Sequence, residues 1–114
     1  MLEGSAHTDL RRGVVLLTVM LRLHEPHYGY SLRQALLKNG IGIGEGTLYP
    51  LLRRIEENGL LISHWRDHDG RSRRYYVLTD AGVDVRDKLV REWRSLTSIV
   101  NQCIVDQEGT SDGY

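Results

Sequence analysis

The chain has 114 residues and one cysteine, Cys103, so no disulfide can close within it. That suits a reducing compartment, and the apolar neighbours of Cys103 predict a buried, inert thiol. A long hydrophobic run is also missing. The longest, Val14 to Leu21, contains Thr18 and lies between Arg12 and Arg22, well short of the roughly 20 residues that cross a bilayer. The polar start, Met1 to Asp9, offers neither the basic and apolar segments nor the cleavage site of a secretory signal, which leads to the expectation of a cytoplasmic protein. Surplus charge is absent too: 15 Lys and Arg balance 15 Asp and Glu, with a pI of about 7.0. The net field therefore points to no partner, and only local charge can. No nucleophile motif, catalytic carboxylate pair or cofactor fingerprint is present, so neither an enzyme nor a cofactor is expected. A metal site would draw on His24, His27, His64 and His68 with Asp67 or Asp69. Glu25 and Pro26 mark a loop there and no cysteine lies near, so solvated histidines are expected instead.

What is present is an ordinary globular mixture, 40% hydrophobic and 26% charged. A chain of 13.1 kDa makes one compact domain with a limited core, and help from a second copy is expected. Basic residues gather in the middle, at Arg53, Arg54, Arg66, Arg71, Arg73 and Arg74. Beyond Arg94 there are none, and the tail carries Asp106, Glu108 and Asp112.

Thr8 and Asp9 form a helix start and Pro26 forbids continuation, predicting a first helix from about Asp9 to His24. Its stretch Val14–Leu21 leaves almost no polar face, so it must be covered on more than one side, in part by a partner subunit. Ser31 and Gln34 match a capping box, predicting a second helix from about Tyr30 to Asn39 that ends at Gly40. Gly40, Gly42, Gly44 and Gly46 lack phosphate-loop spacing, follow a helix and have no Lys before Thr47, so a flexible turn is expected.

The third helix covers roughly Glu45 to Asn58, with Gly59 as its stop. Leu48, Leu51, Leu52 and Ile55 define its buried side, while Gly46, Thr47, Pro50, Arg53 and Arg54 lie opposite. Pro50 is cheap only near a helix start, which places that start close to Gly46 or Thr47. Two extended runs, Leu61–Arg66 and Arg73–Leu78, flank a basic loop containing Asp69-Gly70 and read as a β-hairpin. Thr79 then caps a long helix from about Asp80 to Val105. Along it Leu89, Trp93, Leu96, Val100 and Cys103 alternate steps of four and three, the seam of a helix that packs on another helix.

Three helices and a two-stranded wing make a winged helix-turn-helix, whose third helix lies in the DNA major groove. Gly46 and Pro50 are low in profile and let the backbone approach DNA. Arg53 and Arg54 reach phosphates or guanine edges, and Arg71, Arg73 and Arg74 add backbone or minor-groove contacts. The expected organisation is a DNA-binding domain over residues 8–78 and a dimerisation helix over 79–106, with flexible tails at 1–7 and 107–114. The competing reading is a winged helix that binds protein instead of DNA, or a metal sensor.

The stretches HYGYSLRQAL, GTLYPLLRRIEENGLL and GRSRRYYVLTDAG, in this order and spacing, resemble the PadR family of bacterial transcriptional regulators over roughly Leu10 to Trp93. The short C-terminal part is similar to the small subfamily with a single dimerisation helix. The resemblance implies a homodimeric repressor of pseudo-palindromic operator DNA. It also implies Tyr28–Leu37 as the second helix and Thr47–Glu57 as the recognition helix. Tyr49, with Tyr28 and Ser31, joins the implied DNA-contacting set. It further implies a small aromatic effector at the dimer interface, where Trp93 and its seam neighbours meet Leu16 and Met20 of the first helix. One departure is visible: the family commonly has Ser-Pro where this chain has Gly44-Glu45.

Overall fold

In a computed structural model the chain is described over residues 2–113, so Met1 and Tyr114, the ends of the two expected tails, lie outside it. The order is α1 (Leu2–Arg22), β1 (His27–Tyr28), α2 (Gly29–Lys38), α3 (Glu45–Glu57), β2 (Leu61–His68), β3 (Arg71–Leu78) and α4 (Asp80–Gly113). The molecule is elongated, 67 × 31 × 23 Å. The long dimension reflects α4, whose 34 residues rise about 1.5 Å each.

The core lies where α1, α2, α3 and the base of the hairpin meet. Leu48 and Leu52 from α3 are fully buried and Ile55 nearly so, as their spacing predicts, and Leu51 packs at the edge. Val19, Met20 and Leu23 of α1 and Leu32 and Leu36 of α2 close the other sides, with Leu61, Tyr76 and Leu78 below. The opposite flank of α1, at Val14, Leu17, Thr18 and Leu21, faces Val90, Trp93 and Arg94 of α4 across a cleft of about 430 Å³. The apolar stretch Val14–Leu21 of α1 thus takes part of its second cover from its own chain.

Several boundaries differ from the sequence expectation, each for a physical reason. Helix α1 starts at Leu2, seven residues before Asp9, and α4 runs past Val105 to Gly113, so both expected tails are largely helical. The capping box does not form. Ser31 sits inside α2 and its hydroxyl donates to the Tyr28 carbonyl at 3.0 Å, while Tyr28 itself is the uncapped N-cap. Helix α3 does start at Glu45, the first of its expected bounds, behind an extended Gly44, and not at Gly46 or Thr47 as Pro50 had suggested, so Pro50 lies in the second turn. The wing's connection is not a six-residue basic loop. Asp69 and Gly70, with φ of 51° and 75°, form a two-residue turn that accepts positive φ at both positions, so Arg71, Arg73 and Arg74 lie on the strand.

The sheet has a third strand that the sequence pattern missed. Its order is β1-β3-β2, with His27 opposite Tyr76 and Tyr28 opposite Tyr75. This strand ties the start of α2 to the wing. Two further joints fix the wing base. The Leu78 amide donates to the Leu23 carbonyl at 3.0 Å, and the Thr79 amide to the Leu60 carbonyl at 3.1 Å. Thr79 caps α4 as expected, accepting from the Gly82 amide at 3.0 Å, and its hydroxyl also donates to the Gly59 carbonyl at 2.7 Å.

Candidate nucleic-acid interface

The helical repeat divides the exposed side of α3 into two strips. Tyr49, Arg53 and Glu56 turn toward the wing, where Arg74 and Tyr76 face them. Gly46, Thr47, Pro50 and Arg54 turn the other way, toward the first turns of α1. Gly44 caps α3 with no side-chain hydrogen bond, and Glu45 in the first turn sits at the end that carries the helix's partial positive charge. Pro50 has no N–H to give the Gly46 carbonyl. With no side chain at Gly46 and open space around it, this turn is low in profile.

On the wing side lies a concavity of about 620 Å³ built from Tyr28, Tyr30, Tyr49 and Trp65 with Arg71, Arg73 and Arg74. The guanidinium of Arg73 lies over the Tyr28 ring at 4.3 Å from its centre, and that of Arg74 over Trp65 at 5.8 Å. Arg66 sits over Tyr75 at 5.2 Å. Stacking on an aromatic face holds a guanidinium in place while leaving its edge free to donate, which prepares it to meet phosphate oxygens. Gly29 is buried in the floor because Tyr49 occupies the space of a side chain there; a Cβ would overlap the Tyr49 hydroxyl and ring.

Arg74 has a second task. Its Nε donates to the Ser63 hydroxyl at 3.0 Å, and its Nη2 lies 3.8 Å from the Glu56 carboxylate. The Ser63 hydroxyl in turn donates to Glu56 in a short bond. Glu56 therefore reaches from α3 to the wing, and it offsets part of the Arg74 charge. Burial pushes the Tyr76 phenol above its ordinary range at the base of this network.

Of the expected DNA-contacting set, Tyr28, Tyr49, Arg53, Arg71, Arg73 and Arg74 converge on the wing side of α3. Gly46, Thr47, Pro50 and Arg54 lie together on its other flank. Ser31 is turned inward, bonded to the Tyr28 carbonyl and 3.0 Å from the His27 ring nitrogen Nδ1. Sequence reasoning missed Gly29, Tyr30 and Trp65 on one side and Arg11 and Arg12 on the other. The Arg74–Trp65 pair follows from strand register, which sets these two residues opposite each other.

A second surface runs along α4. Trp93, Leu96, Val100 and Cys103 are all exposed within one chain, as are Ile99, Ile104 and Val105. The Cys103 thiol is thus not buried inside the chain. Leu89 and Leu16 are partly buried against the core, and Met20, 1% exposed, lies wholly inside it and has no surface to present to another molecule. The four histidines each have their own contacts: His24 meets the Leu21 carbonyl, His27 meets Ser31, His64 stacks on Tyr75 and His68 pairs with Asp69. Among the described residues no three His, Cys, Asp or Glu side chains gather as a metal site would need, and no helix is long and apolar enough to cross a membrane.

The PadR-like family of transcriptional regulators matches residues 16–88, from the middle of α1 through the wing into α4. The chain belongs to this family. A transcriptional regulator of Mycobacterium tuberculosis is 38% identical over 98 residues, covering 80% of this chain and 89% of that protein. The crystal structure of a PadR family regulator from Eggerthella lenta is 39% identical and superposes with a TM-score of 0.81 over 90% of this chain and 92% of that one. A PadR-like regulator from Bacillus cereus is 28% identical, with a TM-score of 0.77 over 84% and 96%. The PadR chain described here is accordingly a DNA-binding transcriptional regulator with a winged-helix fold, and its relatives are regulators and not enzymes.

Proposed function

We propose that this PadR regulator is a homodimeric repressor whose paired α4 helices set two α3 helices at the spacing of a pseudo-palindromic operator. The half-sites are then about 10 base pairs apart, or a multiple of that. The observation that carries the reading is the apolar stripe on α4. Trp93 is 46% exposed, Leu96 50%, Ile99 57% and Val100 55%, at the spacing of a helix–helix seam. Such a continuous stripe on a chain this small calls for a partner, and a second copy offers the same stripe in return.

DNA contact comes from Arg53 and Arg54 on α3, Tyr28 and Tyr49 beside it, and Arg71 and Arg73 on the wing. Arg74 serves as the hinge pin between α3 and the wing as well as a phosphate partner. Bound operator blocks transcription. A flat aromatic effector between the α4 helices, stacked against Trp93, releases DNA because it binds the two subunit spacings unequally. The cleft between α1 and α4 beside Trp93, about 430 Å³, supports this placement.

Two measurements test the reading. Sedimentation of the purified chain at micromolar concentration gives a dimer, and Leu96→Glu with Val100→Glu gives a folded monomer. Titration with planar aromatic compounds quenches Trp93 fluorescence and weakens operator binding together. A monomeric native protein refutes the dimer, and quenching without any change in DNA affinity refutes the effector role.

A further inference from the structure

The strip of α3 that turns away from the wing faces a second basic wall. His7, Arg11 and Arg12 from the first turns of α1 line a groove of about 550 Å³ together with Thr47, Pro50 and Arg54 of α3. Three guanidinium groups thus gather in one concavity on a chain whose net charge is zero. Their offset is small. Asp9 lies 3.8 Å from Arg12, and both side chains are 71% exposed, where such a pair is largely screened. Glu45, the acid in the first turn of α3, does not line the groove and pairs with Arg33 at 3.4 Å. The groove opens beside the N-terminal end of α3, the end with no side-chain cap. Residues His7–Arg12 also precede the segment matched by the family, which begins at residue 16.

We propose that the first turns of α1 form a second phosphate-gripping arm, so that the recognition helix is flanked by arginines on both sides, from the wing and from α1. Resting on the DNA-binding reading above, this assigns to Arg11 and Arg12 a sequence-independent contact with the duplex backbone next to the major groove. Guanidinium groups on a rigid helix next to an uncapped helix end meet phosphate oxygens without reordering a loop. Contacts of this kind position the protein and carry no base information.

The test compares the full chain with Arg11→Gln/Arg12→Gln and with a charge-matched control, Lys88→Gln/Arg91→Gln, on the exposed side of α4. Binding to the DNA upstream of the protein's own gene, and to a scrambled duplex, is measured by fluorescence anisotropy across salt concentrations. Neutralising two phosphate contacts lowers the slope of log affinity against log salt by about 2 per chain, and affinity for the two duplexes falls by the same factor. The control slope stays near that of the native protein. Equal slopes in the α1 variant and the control overturn the arm while leaving the regulator intact. Loss confined to the specific duplex overturns its sequence-independent nature, and binding of inorganic triphosphate by the unaltered chain that the α1 variant loses while its DNA affinity and salt slope stay unchanged assigns the groove to a free anion and overturns the arm. Failure of the unaltered chain to prefer its own upstream DNA removes the regulator reading and the arm together. Circular dichroism at matched temperature confirms that the exposed substitutions leave the helices formed.

Discussion

Gly29 and Tyr49 are adjacent in the fold although twenty residues apart in the chain, and their fit sets the wing side of the interface. An alanine at 29 puts a methyl group where the Tyr49 ring lies, so Gly29→Ala is expected to cost about 1–3 kcal/mol of stability through overpacking. Urea unfolding measures the cost, and DNA affinity falls with it; an unchanged midpoint contradicts the packing. His27 gives a pH dependence. Burial lowers its pKa below 6.5, helped by nearby His24 and Arg22 and opposed by Glu25. The unfolded chain takes up a proton near 6.5 and the folded one only at lower pH, so in between the unfolded state binds more protons and stability drops as pH falls. The loss is expected below pH 6.5, and His27→Gln flattens it when melting points are followed from pH 7.5 to 5.5. Neither residue was legible in the sequence. The meaning of Gly29 depends on a distant ring, and His27 read as solvated because the two-residue strand β1 shows no alternating pattern.

Among the elements, α3 was the most legible and its ends the least. Leu48, Leu52 and Ile55 repeat at helical spacing, so the buried side followed from the sequence, as did the approximate start at Glu45; only the shift of that start to Gly46 or Thr47 was wrong, because Pro50 was allowed only in a first turn. Here Pro50 sits one turn deeper and leaves the Gly46 carbonyl without a helical donor. Pro50→Ala is therefore expected to stabilise the protein, by up to about 3 kcal/mol, read as a higher melting temperature. No gain would mean that the second turn is already distorted. Thr79 works at the joint between wing and α4. Losing its cap and its bond to the Gly59 carbonyl, Thr79→Ala is expected to cost about 1–2 kcal/mol in urea unfolding; Thr79→Ser recovers most of it. The wing was legible as a hairpin through Asp69-Gly70. Of its arginines only Arg71 was assigned to the loop, because the length of a turn is fixed by register, which Asp67, His68 and Ser72 do not reveal.

At the scale of the whole molecule, a chain with no net charge becomes a DNA-binding protein by sorting its charge. Arg53, Arg54, Arg71 and Arg73 lie on one side, while the acids Asp106 and Glu108 lie far along α4. In the proposed dimer the uncovered stripe of α4 meets its own copy, and Cys103, expected to be buried but exposed in the single chain, is covered there. The sequence suggested this stripe through its steps of four and three, but Met20, placed beside it, belongs to the core because the α1 helix turns it inward. The most direct measurement is equilibrium binding of the native protein to the DNA upstream of its own gene across salt concentrations, with Arg53→Ala alongside. A groove-reading dimer binds that DNA at least 10³-fold tighter than random duplex, on the order expected for specific recognition, with a steep salt slope that Arg53→Ala weakens. Equal affinity for both duplexes, or an Arg53→Ala protein that binds as tightly as the native one, contradicts it.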